Sequence, residues 1–420
     1  MLFFQKVYRA YYKGALFFKD NAFIFTALFI LFVVRLQISF LNYLDFKYDR
    51  YLDIEAKVVN QYLKHGKKGD YYVLKLKNDS LTFYTTSRKD LKDLLNESLH
   101  MTIVTSNVSF KEWLFTFYAP SFNLKLLPVS KIEEYIEKQH SNKKDANIFK
   151  ALFLAQSIDY QTRNELSTLG VSHLIALSGL HLGFISLFLY VLLSGLYRMI
   201  QKRLPYRNRF VDLGIVVFII EFAYLYITGF PPSLIRAYIL EVVVFLYAYY
   251  LQNPFSLKVL GVVFLVSLLL FGQKVFSIGY FLSITGVFYI YLFFRYYRPS
   301  LINSLILSFY MFCMMFVISH TLFGNFNMYQ LFSPFVNILF TVFYPLEILL
   351  HISGFGGLLD GLIERYLHLG VDYDTFKLPV WVGVVFLALS VLAFFSKRAF
   401  YGINLLSIII ILFAIGASFV

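Results

Sequence analysis

The segment HLIALSGLHLG, residues 173–183, places two histidines and a serine among apolar residues. Such side chains could support nucleophilic hydrolysis, metal binding or polar contacts between packed helices. On one continuous helix, Ser178 and His181 would lie about 60° apart, and His173 and His181 about 80° apart. Because polar groups in lipid need partners, we expect these side chains to face the interior of a helix bundle.

Neither hydrolysis nor metal binding is well supported by this segment. His173 and His181 lack the i, i+4 spacing of helical zinc ligands, with no Cys, Asp or Glu nearby, so we predict no metal. A hydrolase would use Ser178 as nucleophile and His320 or His351 as base, yet the serine lies outside a G-x-S-x-G motif. An intramembrane serine hydrolase or protease is the alternative function, and a purely structural role of the histidines also stays open.

Other residues predict contacts between helices within the membrane. Gly179 and Gly183 form a small-xxx-small pair, which would let another helix approach closely. In TGFPPSLIRAYILE, Arg236 lies inside an apolar segment, where an arginine is expensive and needs a partner. Glu221 lies at similar depth on the preceding segment of an antiparallel hairpin. We predict that the two form an ion pair, functional or purely architectural, or that Arg236 lines a hydrated path.

The composition requires lipid to solvate much of the surface. The 420 residues are 59% hydrophobic and 15% charged, whereas soluble domains are about half apolar and a quarter charged. Apolar stretches of about 20 residues recur along the chain. The net charge of +13 reflects the bias of cytoplasmic loops toward Lys and Arg or an anionic ligand. The single cysteine, Cys313, excludes an intrachain disulfide framework.

The chain divides into a membrane anchor, a β region and a multi-span core. Residues 1–45 predict a basic cytoplasmic N-terminus and a retained first transmembrane helix. Residues 50–130 alternate between polar and apolar positions, which predicts a small extracytoplasmic β-barrel. Its cations could form a basic face or only a solvated strand surface: they are Lys64, Lys67, Lys68, Lys75, Lys77, Arg88 and Lys89.

Residues 145–420 predict the membrane core, which begins with an amphipathic helix at 145–168 lying along the membrane surface. Apolar spans follow near 173–197, 211–228, 232–251, 257–272, 276–294, 301–320, 326–350, 379–395 and 402–419. If all of them crossed, the basic SKR at 396–398 would lie outside, against the positive-inside rule. We therefore predict that 326–350, interrupted by Pro334 and Pro345, fails to cross and lines a cavity.

The segment HLIALSGLHLG closely resembles the signature of ComEC proteins, the inner-membrane channels of bacterial competence. Further segments match the family pattern in order: TGFPPSLIRA, SIGYFLSITGVFYIY with Gly279, Tyr280, Leu282 and Ser283, and SPFVNILFTVFYPLE with Asn337 and Pro345. The β region resembles the OB-type domain of this family. The resemblance covers nearly the whole chain, and it implies a polytopic α-helical membrane protein with an inserted OB-like extracytoplasmic domain.

The resemblance implies a multi-pass channel of the bacterial inner membrane that passes single-stranded DNA from periplasm to cytoplasm. The polar motif residues would line its lumen: His173, Ser178, His181, Arg236, Ser283 and Asn337. In the periplasmic domain the basic residues would follow phosphates while Tyr71, Tyr72, Phe83 and Tyr84 stack on bases. The H-x-H-x-D-H cluster of the family's metallo-β-lactamase-like domain is missing from this sequence, so we expect a short, non-enzymatic form without a cofactor. Its partners would then be a periplasmic DNA receptor, cytoplasmic strand-handling or motor proteins and a separate nuclease.

Overall fold

The computed structural model describes residues 22–67, 69–78, 81–88, 93–203, 205–250, 257–271, 277–371 and 374–418. The predicted cytoplasmic N-terminus, Lys68 and Lys89 lie outside these residues. Eight helices in the described part are long and apolar enough to span a membrane. The prediction of a polytopic helical protein with a small β domain is therefore confirmed.

The β domain follows the first helix, α1 (Ala22–Tyr48). Its strands are β1 (Tyr51–Gly66), β2 (Gly69–Lys77), β3 (Thr82–Ser87), β4 (Ser98–Val104), β5 (Phe117–Tyr118) and β6 (Ser121–Leu126). They form one sheet in the order β5-β3-β2-β1-β4-β6. Only Ala119 and Pro120 separate β5 from β6, so one chain segment forms both edges. The Thr85 and Ser121 hydroxyls lie 2.8 Å apart across this junction, and the sheet closes on itself.

The core of the β domain follows the alternation read from the sequence. Leu74 and Leu76 of β2 are fully buried, whereas Lys75 between them lies on the outer face. The end of α1 enters the same core, since Tyr43 is buried there and its hydroxyl donates to the Val108 carbonyl at 2.9 Å. The first membrane helix and the β domain are therefore packed as one unit.

A set of short helices connects the β domain to the membrane core: α2 (Phe110–Phe115), α3 (Lys131–Glu137), α4 (Lys143–Leu154), α5 (Tyr160–Thr168) and α6 (Ser172–Ile175). The predicted single helix at 145–168 is wrong, because Ala155 adopts a left-handed conformation (φ 57°) and ends α4. The predicted position of this segment on the membrane surface stays a prediction. The polar face of α4 is covered as well as its apolar one, and Asp145 and Lys150 are both buried.

The β domain is attached to these short helices by polar contacts. Lys57 of β1 pairs with Glu133 of α3 at 2.9 Å. The Asn96 side chain donates to the Ser157 carbonyl at 2.7 Å and accepts from its N–H at 2.9 Å. Contacts at well-separated points fix the orientation of the β domain on the core.

The long helices agree closely with the predicted spans. They are α7 (Gly179–Gln201), α8 (Arg209–Ile227), α9 (Pro232–Tyr249), α10 (Leu257–Phe271), α11 (Ile278–Tyr296), α12 (Leu301–Leu322), α13 (Ser333–Ile352), α15 (Val380–Ala393) and α16 (Lys397–Ala417), with the shorter α14 (Asp360–His368) between α13 and α15. The first of the spans predicted in this core, near 173–197, begins later in the structure. The span predicted from residue 173 begins at Gly179, because Ala176 is extended and separates α6 from α7.

The two ends of the chain segment that contains α13 lie next to each other. Strand β7 (Asn325–Phe326) precedes it and pairs with β8 (Asp374–Thr375), which follows α14. Two paired strands lie on one side of a membrane, so the chain between them makes no net crossing. This pairing favours a segment that does not cross, which stays a prediction, since Met328–Ile352 is itself one of the eight helices long and apolar enough to span. The predicted interruption is wrong, since Pro334 lies in the first turn and Pro345 within a continuous helix.

The basic loops meet at one end of the bundle. Phe400, beside Lys397 and Arg398, packs on Tyr296 and Tyr297 next to the FRYYRPS loop, with ring centroids 4.6 and 6.2 Å apart. The return of α13 is what brings these loops together. This arrangement satisfies the positive-inside rule that a full crossing would violate.

Cysteine labelling tests this topology. In a Cys313→Ser background, Gly361→Cys on exposed α14 should react from the same membrane side as Asn107→Cys in the β domain, because β7–β8 and the Lys57–Glu133 pair join these parts. Tyr206→Cys, in the basic loop and 81% exposed, should react from the opposite side. Labelling of Gly361→Cys together with Tyr206→Cys would contradict a returning α13.

Candidate functional site

The break between α6 and α7 decides how the histidines of HLIALSGLHLG are placed. Ser178 immediately precedes α7, and its hydroxyl accepts from the Leu180 N–H at 3.2 Å. The Nδ1 atom of His181 accepts from the Ser178 N–H at 3.1 Å and lies 3.0 Å from the Ser178 hydroxyl. Since His173 lies on a different helix, the predicted angle between the two histidines does not apply.

Helix α13 covers this segment and brings a second motif to it. His173 Nε2 lies 2.9 Å from Asn337 Oδ1. His181, fully buried, packs against the edge of Tyr344 with ring centroids 4.6 Å apart. Four predicted path residues, His173, Ser178, His181 and Asn337, therefore meet along one contact between α6–α7 and α13. This contact is called the polar seam below.

The polar seam does not form a hydrolytic centre. Ser178 and His181 are in contact, but the hydroxyl caps α7 and Nδ1 is already held by a backbone N–H. No carboxylate bonds His181 in the described part of the chain. The proposed bases lie elsewhere: His320 stacks on Phe316, and His351 contacts His140. The alternative function is therefore not supported.

Arg236 has a different partner from the one predicted. Its guanidinium lies over the Tyr280 ring, 4.9 Å from the centroid, in a cation–π contact. The side chain is 9% exposed, and its Nε has no hydrogen-bond partner among the described residues. Tyr280 belongs to the segment SIGYFLS, so two separate sequence motifs meet here. It also lines a mostly apolar cavity of about 450 Å³.

Glu221 pairs with another acidic residue and not with Arg236. Ser186 of α7 bonds both Glu221 of α8 and Glu241 of α9 through its hydroxyl. Because a hydroxyl carries one proton, the second bond needs a proton from a carboxyl group. The predicted Glu221–Arg236 pair is therefore wrong, because the residue of α9 that shares Ser186 with Glu221 lies five positions beyond Arg236.

The predicted path residues thus fall into separate groups. The polar seam holds four of them, Arg236 lies with Tyr280, and Ser283 is half-buried one turn beyond Tyr280 with no described contact to either group. An apolar cluster packs beside both groups; it consists of Leu177, Leu182, Leu225 and Leu234.

The two glycines predicted to mediate helix packing differ. A Cβ on Gly179 would lie 3.4 Å from the Ala237 side chain, so α7 and α9 approach closely there. Nothing lies within 4 Å of the corresponding position on Gly183. The predicted packing role of Gly183 is therefore wrong, because Gly183 lies on an exposed face of α7, whereas Ser186 on the next turn contacts α9.

The outer face of the β domain carries an open groove of about 480 Å³. It is lined by Tyr62, Lys64, Tyr71, Val73, Tyr84, Thr86, Arg88 and Tyr118. These residues lie on β1, β2, β3 and β5, apart from Arg88, which directly follows β3. Their positions point away from the core of the β domain. Lys75 lies beside it with its ammonium 5.5 Å from the centre of the Tyr84 ring. We call this surface the tyrosine groove.

Four of the predicted DNA contacts, Lys64, Tyr71, Tyr84 and Arg88, lie in the tyrosine groove. Lys67, in the β1–β2 turn, and Lys77, at the far end of β2, are outside it. Tyr72 is also outside it. Phe83 is fully buried and stacks on Phe117 with centroids 5.5 Å apart, so its expected availability for base stacking is wrong.

Sequence reasoning missed residues in the tyrosine groove and in the contact between α7, α8 and α9. Tyr62 and Tyr118 complete the groove; Tyr118 lies about thirty residues after the charged stretch, whereas Tyr62 is two residues before Lys64 and could have been found from the strand alternation. Glu241 had a clear signal, an acidic residue inside an apolar helix, whereas Ser186 had none. In the described part of the chain no group of three or more His, Cys, Asp or Glu residues could hold a metal.

Comparison with known proteins gives one match. Residues 154–419 match the family model described as competence protein. The match includes the polar seam, Arg236 and Tyr280, and it excludes the β domain. No curated protein and no solved structure matches significantly.

Ser186→Ala tests the shared hydroxyl. Removing it leaves two carboxyl groups without their common partner inside the bundle, which should destabilise the protein by about 1–3 kcal/mol. Thermal unfolding in lipid nanodiscs should show a lower apparent Tm. The control is Ser194→Ala on the same helix, because the buried Ser194 hydroxyl has no partner among the described residues. Equal effects of the two substitutions would contradict the bridging role.

Proposed function

Because the chain belongs to the competence protein family, we propose that it is a channel that passes single-stranded DNA across the bacterial inner membrane during natural transformation. The observation that carries this proposal is the tyrosine groove, which lies on a domain joined firmly to the membrane core. The family match supports a role in DNA uptake, and the groove supports a strand as the substrate.

The chemistry of the groove suits a single strand better than a duplex. Single-stranded nucleic acid exposes base faces, which stack on aromatic rings at about 1–3 kcal/mol per base with little sequence preference. Tyr62, Tyr71, Tyr84 and Tyr118 offer such rings, while Lys64 and Arg88 can neutralise phosphates. The net charge of +13 adds long-range attraction for a polyanion.

The β domain is OB-like and extracytoplasmic in this proposal. Its first strand pairs with both β2 and β4, and β3 pairs in parallel with the segment that also pairs with β4. This connectivity supports an OB-type barrel, although the helix α2 follows β4 and not β3. The basic loops gather at the opposite end of the bundle, which supports an outward-facing groove.

The strand would then pass along the polar seam. Phosphates cannot enter hydrocarbon without water and polar groups around them, and His173, Ser178, His181 and Asn337 supply uncharged polar atoms along one contact. His181 is buried in this contact, whereas His173 is exposed and Ser178 and Asn337 are half-buried, and in this proposal α13 moves away from α6 and α7 to open the path. Arg236 provides a cation nearby, held on Tyr280.

The partners follow from this role. A periplasmic receptor would deliver DNA to the groove, a separate nuclease would remove one strand, and cytoplasmic strand-handling or motor proteins would receive the other. The lipid bilayer solvates the exposed apolar faces of the long helices. We propose no bond chemistry and no cofactor for the chain itself.

Tyr84→Ala tests the groove. Loss of the ring should weaken binding of a labelled oligothymidine to the full-length protein in nanodiscs by roughly 5- to 150-fold, measured by fluorescence anisotropy. Tyr48→Ala is the control, since Tyr48 is 89% exposed at the end of α1 and lies outside the groove. An unchanged affinity in Tyr84→Ala would remove the groove as the binding surface.

Asn337→Leu tests the path separately from binding. A leucine of similar size cannot hydrate a phosphate or bond His173, so entry of labelled DNA into the cytoplasm should fall by about tenfold or more, corresponding to about 1.4 kcal/mol. Oligothymidine affinity should stay unchanged, because the groove is untouched. Cells that carry Gly183→Ala on α7, where space is open, should transform normally. Normal transformation by Asn337→Leu would count against the seam as the path.

A further inference from the structure

Arg236 is a buried cation without an anionic partner in the described part of the chain. Its side chain is 9% exposed, its guanidinium lies over the Tyr280 ring, and its Nε has no hydrogen-bond partner among the described residues. The glutamates of α8 and α9, Glu221 and Glu241, bond Ser186 instead. A cation–π contact offsets only part of the cost of an arginine inside a membrane bundle. The guanidinium therefore has the capacity to bind an anion from outside the chain.

Three helices begin in the neighbourhood of Arg236. Helix α9 begins at Pro232, four residues before it, and α11, which carries the stacked tyrosine, begins at Ile278. Helix α7 begins at Gly179, where a Cβ would lie 3.4 Å from the side chain of Ala237. The first turn of a helix has unpaired N–H groups and a partial positive charge. The helix starts and the guanidinium together favour an anion at this end of the bundle.

The mostly apolar cavity that Tyr280 lines opens toward lipid. Two of its lining side chains, Ile278 and Phe281, are 55% and 40% exposed. Exposed apolar side chains on the spanning helices of a membrane protein contact the bilayer. The cavity volume of about 450 Å³ lies within the range of about 300–1,000 Å³ that is usual for ligand sites. A lipid can therefore enter this cavity from the side, without passing through the bundle.

The direction of the cavity matches that of a lipid in the bilayer. It extends along α11 from Ser277, which precedes the helix, to Thr285, eight residues and about 12 Å further into the membrane. Phe264 of α10 lines it as well and packs on Tyr280 with ring centroids 6.1 Å apart. Arg236 lies only four residues into α9. A phosphate at the level of Arg236 would thus leave an attached acyl chain free to follow the cavity inward.

We propose that this region binds an anionic phospholipid, with its phosphate on Arg236 and one acyl chain in the cavity beside Tyr280. The site offers both a cation and an apolar space, so it selects a ligand that has both an anion and a long apolar chain. Inorganic phosphate would use only the cation, and a zwitterionic lipid brings its own cation to the phosphate. A DNA phosphate has no apolar chain. The lipid site does not rest on the proposed function.

Native mass spectrometry of the delipidated full-length protein in detergent tests the site. The protein is titrated with phosphatidylglycerol, or with phosphatidylcholine that carries the same acyl chains. The wild type should bind one phosphatidylglycerol at least about fivefold more tightly, because a single arginine at a membrane surface favours an anionic lipid by about that factor. Arg236→Gln should remove this preference, whereas Arg236→Lys should keep most of it.

Ile284→Trp tests the acyl chain separately and keeps the test valid if Arg236→Gln does not fold. Ile284 lines the cavity, so an indole there should occupy the space of the chain and weaken the binding of both lipids. The matched control is Arg50→Gln, because Arg50 lies over the Tyr51 ring, 5.6 Å from its centroid, in an exposed contact. This control should keep the wild-type preference. Thermal unfolding verifies that each variant is folded.

Competition identifies the occupant. Neither excess inorganic phosphate nor oligothymidine should displace the bound phosphatidylglycerol. Displacement by phosphate would indicate a site for small anions, and displacement by oligothymidine would indicate a site for DNA; either result would overturn the lipid proposal. Equal affinity of the wild type for the two lipids would also overturn it, as would an unchanged preference in Arg236→Gln or undiminished lipid binding in Ile284→Trp.

Discussion

The pairing of β7 with β8 is the constraint on which the membrane architecture depends. It holds residues 325–326 beside residues 374–375, so everything between them must begin and end on one side of the membrane. The constraint has two consequences. Helix α13 is available to pack along α6 and α7 without spanning, and the basic residues after α15 fall on the same side as the other basic loops.

Helix α13 consequently contacts several functional elements at once. Near its start, Asn337 bonds His173; in its middle, Tyr344 packs on His181; at its end, His351 contacts His140. One helix therefore carries all three contacts, with Pro345, which cannot donate to the helix ladder, between the second and the third.

Local sequence patterns predicted where most strands and helices lie. They mostly could not predict which elements contact one another. Alternation placed Leu74 and Leu76 in the barrel core, and hydropathy located the long helices, because both depend on residues close in sequence. The topology argument went beyond local patterns because loop charge is a global constraint, and it stays a prediction. The partner of Glu221 depends on helix rotation, which hydropathy does not encode. The groove also needed Tyr118, which only the parallel pairing of β5 with β3 brings beside Tyr84.

A helix that does not span the membrane is well suited to move aside for a polar strand. A spanning helix has polar ends anchored in both interfaces, and a large displacement would draw some of them toward hydrocarbon at a cost of several kcal/mol. The segment between β7 and β8 begins and ends on one side, so α13 could tilt while these two strands stay in place. Its movement would expose the uncharged polar atoms of the seam, which can hydrate phosphates without binding them as tightly as a row of cations would. In the proposed function, weak polar contacts of this kind would let a long polyanion keep moving, and the cations at the tyrosine groove would capture it.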